Sequence, residues 1–177
     1  VGITYMEDQA LDKMNGATLY EEQLSLMVHE SMLSTRKKTI TWKEVAELPL
    51  CLLSPYMKER QVMDEAFSLV DCNPSPKLEC NSIFQLAFHV MQGTLATIVP
   101  SGFSRANDAF PGTREIHLTD PVISKPVGLV WEKVTPPLPM AQAFADLLID
   151  SSDDKSASLE MSVNQSVGTK TVAWDFG

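Results

Sequence analysis

The chain has 177 residues, of which 44% are apolar and 21% charged, a composition typical of a folded globular protein and not of a disordered one. Its net charge of −9 disfavours binding to nucleic acid phosphates, which depends on clustered Lys and Arg; the most basic run, Arg36-Lys37-Lys38, has only three residues. No apolar run approaches the roughly 18 residues that a membrane-spanning helix needs.

Cysteine and histidine usage predicts neither a disulfide framework nor a metal site. The three cysteines are Cys51, Cys72 and Cys80. Their odd number and the absence of a CxxC spacing favour a reduced compartment, and we expect a cytoplasmic protein. The three histidines are scattered, so no metal and no cofactor is expected.

Strand-like and helical segments alternate along residues 1–150. The predicted strands are "GITY" (2–5), "LSLMVHE" (24–30), "PLCLL" (49–53), "KLEC" (77–80), "LATIVP" (95–100), "TREIHL" (113–118) and "VGLVWEK" (127–133). This alternation is the signature of a parallel sheet with helices on its faces. Ligands of such sheets bind beyond the carboxyl ends of the strands.

Local signals place the helices between these strands. Thr41 and Glu44 form a capping box, as do Ser82 and Gln85, so a helix should begin after each. Gly93 is predicted as the C′ residue of the second of these helices. Two further segments carry apolar residues at helical spacing. They contain Met63, Phe67 and Val70, and then Met140, Phe144, Leu147 and Leu148.

The termini differ from the rest of the chain. Residues 151–177 are polar and nearly aperiodic, and we interpret them as a tail. The first residues lack Met and read as the middle of a strand, which suggests a piece of a longer chain.

Several motifs occur together and in order along residues 1–150. They are "VGITYMEDQAL", "LYEEQLSLMVHES", "WKEVAELPLCLLSP", "ERQVMDEAF", "LAFHVMQGTLATIVP" and "KPVGLVWEKVTPPLPMAQAFADLL". Each is weak alone, but the combination resembles the effector-binding region of LysR-type transcriptional regulators. The family's helix-turn-helix and the first βαβ part of its first lobe have no counterpart here.

The resemblance implies an α/β fold of the type II periplasmic-binding-protein-like class, with two Rossmann-like lobes around a cleft and the first lobe incomplete. Residues 1–19 and 124–150 would form the partial first regulatory lobe, 20–123 the second regulatory lobe and 151–177 the polar tail. It further implies a small organic anion as the effector and a homo-oligomer, a dimer or tetramer. DNA would be contacted only through a helix-turn-helix absent from this chain, and no membrane is involved.

Eight residues near the predicted strand ends are candidate ligand contacts. They are Thr4, Tyr5, Ser54, Arg60, Asn81, Ser82, Thr97 and Pro100. Thr4 and Tyr5 are expected after the first strand, and the helix that begins after Ser82 should direct its amide groups and its dipole at an anion. Ser54 and Thr97 would add hydroxyl donors, and Arg60 a bidentate cationic contact.

Three of these residues have an equally simple structural interpretation. Thr97 either lines the crevice, with Ala96 and Ile98 on the core, or is an ordinary strand residue bonded to a neighbouring carbonyl. Ser82 can act as a cap alone, and Arg60 can form an ion pair with Asp64 at i+4.

The predicted function is therefore effector sensing for the control of transcription. The alternative is a solute-binding module of the same fold that serves transport. An enzyme is disfavoured because the sequence has no GxSxG, no HExxH and no Gly-rich phosphate loop. Cys51 lies in an apolar strand and is expected to be an inert core thiol.

Overall fold

The computed structural model describes residues 1–6, 14–33, 37–104, 110–133, 139–140, 143–144 and 147–148. The chain divides into two compact units, unit 1 with Val1–Tyr20 and Val127–Gly177 and unit 2 with Glu21–Pro126. The predicted tail, 151–177, lies outside the described residues. The strands are β1 (Gly2–Tyr5), β2 (Met14–His29), β3 (Thr39–Thr41), β4 (Cys51–Leu53), β5 (Leu78–Cys80), β6 (Thr97–Pro100), β7 (Thr113–Thr119) and β8 (Ser124–Glu132). The helices are α1 (Trp42–Ala46), α2 (Lys58–Leu69) and α3 (Ile83–Val90).

Unit 1 contains β1, β8 and the first part of β2. β1 and β8 pair antiparallel, with Ile3 opposite Leu129, and β8 lies next to β2. The two inner strands approach so closely that a Cβ at residue 128 would lie 2.5 Å from the Ala17 carbonyl oxygen, which explains the glycine there. The described parts of the predicted last helix are helical, and its Met140 is exposed.

Unit 2 is built on a mixed sheet in which β2 is an inner strand. β2 pairs antiparallel with β6 and with β7, β7 pairs parallel with β3, and β4 pairs parallel with β5. Backbone bonds from Cys51 to Ala96 and from Ala96 to Pro49 join β4 to the residue before β6. The α/β prediction is confirmed; the predicted parallel pairing holds for β3 with β7 and for β4 with β5, whereas β2 pairs antiparallel with β6 and β7.

Local signals predicted the helix starts correctly. In α1 the amide of Glu44 donates to the Thr41 hydroxyl and the Thr41 amide donates to the Glu44 carboxylate, so the capping box is complete. In α3 the Ser82 hydroxyl accepts from the Gln85 amide. α3 is shorter than predicted, because its C-cap is Met91 and Gly93, with φ of 74°, follows two residues later.

The core of unit 2 lies between the sheet and the apolar faces of the helices. Met63 and Phe67 of α2 are fully buried as predicted, whereas Val70 is the half-buried C-cap. The Phe67 ring makes an edge contact with Trp42 at 5.0 Å between centroids. The Trp42 indole N–H also donates to the Pro121 carbonyl at 2.9 Å, which ties α1 to the chain between β7 and β8.

Candidate functional site

A cavity of about 470 Å³ lies in unit 2 where β4, β5 and β6 end. We call it the strand-end cavity. Its lining residues are Glu22, Leu53, Met57, Glu59, Asn81, Ser82, Ile83, Pro100 and Phe103. Five of these are apolar, which is typical of a site for a small organic molecule. The geometry follows from the parallel pairing of β4 with β5, because the carboxyl ends of both strands then meet at one edge.

Two helices begin at this cavity. Met57 is the N-cap of α2 and makes no side-chain capping bond, and Ser82 is the N-cap of α3. The amides of a first helical turn have no acceptor inside the helix, and the helix dipole places partial positive charge there. Both N-terminal turns therefore favour a negatively charged group in the cavity.

The side-chain charges of the lining have the opposite sign. Glu22 and Glu59 are carboxylates, and none of the described residues that line the cavity is Lys, Arg or His. Among the described lining residues, the groups that contribute positive potential are therefore backbone amides. This arrangement accommodates one negative group near the helix starts better than two.

The Arg60 guanidinium forms hydrogen bonds with three other groups of unit 2. Its Nε donates to Asp64 at 2.8 Å, and one terminal nitrogen donates to Glu79 at 2.6 Å and to the Leu53 carbonyl at 2.7 Å. Burial lowers the pKa of Arg60, but the hydrogen bonds to Asp64 and Glu79 outweigh burial and raise it. Arg60 is buried and does not line the cavity, so the structure corresponds to the ion-pair interpretation, with Glu79 as a second partner.

The expectation that Thr97 lines the crevice is wrong for this structure. Ala96, Thr97 and Ile98 are all fully buried, so both faces of β6 are covered there. The Thr97 hydroxyl makes no hydrogen bond of ordinary geometry, so the neighbouring-carbonyl interpretation is not met either. Burial raises the pKa of the nearby Cys51 thiol to about 11, and the Thr97 hydroxyl opposes this only in part. Cys51 is therefore an un-ionised core thiol at neutral pH, as predicted from its apolar strand.

The remaining candidates divide between the two units. Asn81, Ser82 and Pro100 come together in the strand-end cavity. Ser54 lies one residue beyond β4, where its amide donates to the Cys80 carbonyl at 2.9 Å, but it is not a lining residue. Thr4 and Tyr5 are the last two residues of β1 in unit 1, paired with β8, and do not follow the strand as expected. Their role as ligand contacts stays a prediction.

Sequence reasoning missed six lining residues, which are Glu22, Leu53, Met57, Glu59, Ile83 and Phe103. The motif "SPYMKER" did contain a signal for two of them, since Pro55 marks the approach to a helix whose N-cap is Met57 and whose first turn contains Glu59. Phe103 follows Pro100 after a Ser-Gly turn and could have been predicted from that position. Glu22 offered no local signal, because its place depends on how β2 crosses the sheet.

Two kinds of site are absent from the part of the chain that the structure describes. No group of three or more His, Cys, Asp or Glu side chains is arranged to hold a metal ion there. Among the same residues, no helix is both long enough and apolar enough to cross a membrane.

Three solved structures illustrate the similarity of fold. The effector-binding domain of QuiR in complex with shikimate is 16% identical with a TM-score of 0.71, over 86% of this chain and 71% of that one. The reduced OxyR regulatory domain from Pseudomonas aeruginosa is 20% identical with a TM-score of 0.69, over 85% and 70%. CbnR, a LysR family transcriptional regulator, is 17% identical with a TM-score of 0.67, over 85% and 51%.

The chain spans about half the length of CbnR, a complete regulator. At these identities the likeness establishes the fold, which is the predicted periplasmic-binding-protein-like α/β class. No curated protein sequence is similar enough to be reported as a relative. The model of the LysR substrate binding domain matches residues 1–153, and the chain therefore belongs to that family.

Proposed function

We propose that this chain is the effector-sensing part of a LysR-family transcriptional regulator and that the strand-end cavity of unit 2 holds its effector, a small organic anion. One observation carries the proposal: the starts of α2 and α3 converge on a mostly apolar cavity of about 470 Å³. Apolar walls suit a carbon skeleton, and the amides of two first turns suit a carboxylate. The family match favours this role over transport of a solute.

The two acidic lining residues favour an effector that carries a single negative charge. A second carboxylate of the ligand about 5 Å from Glu59 would be repelled by roughly 3 kcal/mol at an effective dielectric constant of about 20. Glu22, on the same cavity, adds to this repulsion. Dicarboxylates should therefore bind more weakly than monocarboxylates of similar size.

The proposal is tested by thermal unfolding and calorimetry with benzoate and shikimate as monoanions and succinate as a dianion. A bound monoanion raises the melting temperature with concentration, because binding to the folded state alone stabilises it by about 2.7 kcal/mol at 100 times Kd. Glu59→Gln should narrow the difference between succinate and the monoanions. If no monoanion shifts the transition at millimolar concentration, the cavity does not bind this class.

A cavity-filling variant locates the binding site. Ile83→Trp places a large side chain in the cavity and should abolish the ligand-induced shift. Phe88→Trp is the matched control, since Phe88 lies on the same helix, is 54% exposed and is not a lining residue. An unchanged shift in Ile83→Trp would place the ligand elsewhere.

Regulation would act by population shift. A ligand that binds one conformation of the regulator more tightly than another moves the equilibrium towards it. We expect the complete regulator to be a cytoplasmic homo-oligomer that contacts DNA through a helix-turn-helix outside these 177 residues. The effector would also contact the first lobe, through Thr4 and Tyr5.

A further inference from the structure

The turn at residues 100–104 forms one wall of the strand-end cavity. Pro100 and Phe103 line the cavity, and the Phe103 ring stacks on Phe110 at 5.4 Å between centroids. Gly102 has φ of 92°, a conformation that a residue with a side chain rarely adopts, so the chain reverses there. The position of Phe103 therefore depends on what holds this turn.

A single carboxylate holds the turn from the neighbouring strand. One Glu115 oxygen accepts from the Gly102 amide at 2.7 Å, and the other accepts from the Ser104 amide at 2.5 Å. Glu115 belongs to β7, opposite Met27 of β2, so it is anchored in the middle of the unit 2 sheet. The two amides flank Phe103 on both sides, which fixes the backbone that carries its ring.

The other contacts of the turn restrain its beginning. The Ser101 amide donates to the Gln23 carbonyl at 2.8 Å, and the Ser101 hydroxyl lies 2.7 Å from the buried Ser25 hydroxyl. The Phe103 amide donates to the Pro100 carbonyl within the turn, at 3.1 Å. Glu115 connects the far side of the turn to the sheet.

We propose that Glu115 is a positioning residue of the effector site: it does not line the cavity but sets the place of Phe103 by clamping the two adjacent amides. A carboxylate suits this task because both oxygens accept, and bonds of N–H groups to an ionised acceptor are stronger than neutral ones. Gln has nearly the same shape but one acceptor, and its NH₂ group would face a backbone N–H donor. The effect of Glu115 on ligand binding rests on the proposed function, whereas its two hydrogen bonds to the turn can be tested without any ligand.

The ligand-free experiment compares Glu115→Gln with the wild type by amide hydrogen exchange and by proton NOEs between Phe103 and the rings of Phe84 and Phe110. Because Gln keeps one acceptor, we expect at least one of the Gly102 and Ser104 amides to exchange at least about tenfold faster, as loss of a bond to a charged group implies. The NOEs of Phe103 should weaken. The exchange of strand amides such as His117, which bonds to the Lys38 carbonyl, should not change. Unaltered exchange at Gly102 and Ser104 would overturn the inference.

The second experiment measures the Kd of benzoate by calorimetry. If the released turn is in the binding position about one tenth of the time, Kd rises about tenfold while the melting temperature changes little. Glu47→Gln, a change of the same kind at an exposed site, should leave Kd unaltered. A wild-type Kd in a variant with released amides would contradict the positioning role and leave the proposed function intact.

Two other outcomes are also decisive. If the wild type does not bind benzoate, the proposed function loses support for this ligand class, and the exchange and NOE data alone decide whether Glu115 positions Phe103. If Glu115→Gln does not fold, Ser104→Pro removes one of the two amide donors and leaves the carboxylate in place. The Phe103 NOEs should then weaken while the Gly102 amide, which keeps its carboxylate acceptor, stays protected from exchange; unweakened NOEs would overturn the positioning role.

Discussion

Replacing Arg60 by Met separates its structural role from a role in binding. The side chain is 9% exposed, while its partners Asp64 and Glu79 are 48% and 40% exposed. These carboxylates regain water when the guanidinium is removed, so each pair contributes about 0.2–1 kcal/mol. The Leu53 carbonyl loses a charged donor in a buried place, which costs about 1–3 kcal/mol. We expect a total loss of about 2–3 kcal/mol in the free energy of unfolding.

The assay is urea unfolding followed by far-ultraviolet circular dichroism. The midpoint should fall with an unchanged m-value, and the melting temperature should fall by roughly 4–12 °C for a chain of this size. Lys43→Met is the matched control, because it removes an exposed positive charge from α1. A double-mutant cycle with Glu79→Gln isolates the coupling between the two side chains.

The binding constant decides the interpretation of Arg60. If its role is structural, Arg60→Met should bind benzoate or shikimate within about twofold of the wild-type Kd at a temperature where both proteins are folded, a difference of about 0.4 kcal/mol. Wild-type stability together with lost binding would refute the reasoning and return Arg60 to the ligand site.

Three further changes test other parts of unit 2. Hydrogen bonding to Lys37 lowers the pKa of Glu44 from 4.5 to about 2, so its carboxylate stabilises the folded state above pH 4.5 and this contribution disappears as the pH falls towards 2. The stability difference between wild type and Glu44→Gln, measured by urea unfolding, should close over that interval. Trp42→Phe removes a hydrogen bond to the part-buried Pro121 carbonyl and should lower the free energy of unfolding, measured in urea, by about 1–3 kcal/mol. Gly112→Ala should cost about 1–2 kcal/mol for its φ of 74° and more for a Cβ placed 2.8 Å from the His29 ring. Adding His29→Ala to Gly112→Ala should recover only the cost of the contact with the His29 ring, and not the cost of the backbone conformation. If the two substitutions changed the free energy of unfolding additively, the contact would make no contribution.

The helix starts were predictable because capping is local. The hydroxyl of Ser82 and the amide that it caps are three residues apart, so the sequence contains the whole interaction. The Asp64 partner of Arg60 was predictable for the same reason. Its Glu79 partner was not, because that residue reaches Arg60 only after β5 has paired with β4.

The predictions of burial and of strand pairing failed where they depended on the neighbours of a strand. Alternation along "LATIV" suggested one open face for Thr97, but both faces of the strand are covered from Ala96 to Val99. The direction of β2 was similarly hidden, since strand-like sequence alone does not distinguish parallel from antiparallel pairing. The position of the strand-end cavity, at the carboxyl ends of strands, was predicted. The presence of Glu22 and Glu59 in its lining was not.

The charge pattern of the cavity has a consequence for specificity under the proposed function. Backbone amides are present whatever the side chains are, so recognition of a carboxylate would need no particular residue type at the helix starts. Discrimination between effectors would then fall to the walls, where Ile83 and Phe103 set the shape available to the carbon skeleton. An extra or missing methylene in such a pocket changes affinity by only about 1–3 kcal/mol, so relatives could exchange effectors through a few apolar substitutions. Placement of the wall by Glu115 would then matter as much for effector choice as the identity of the wall residues.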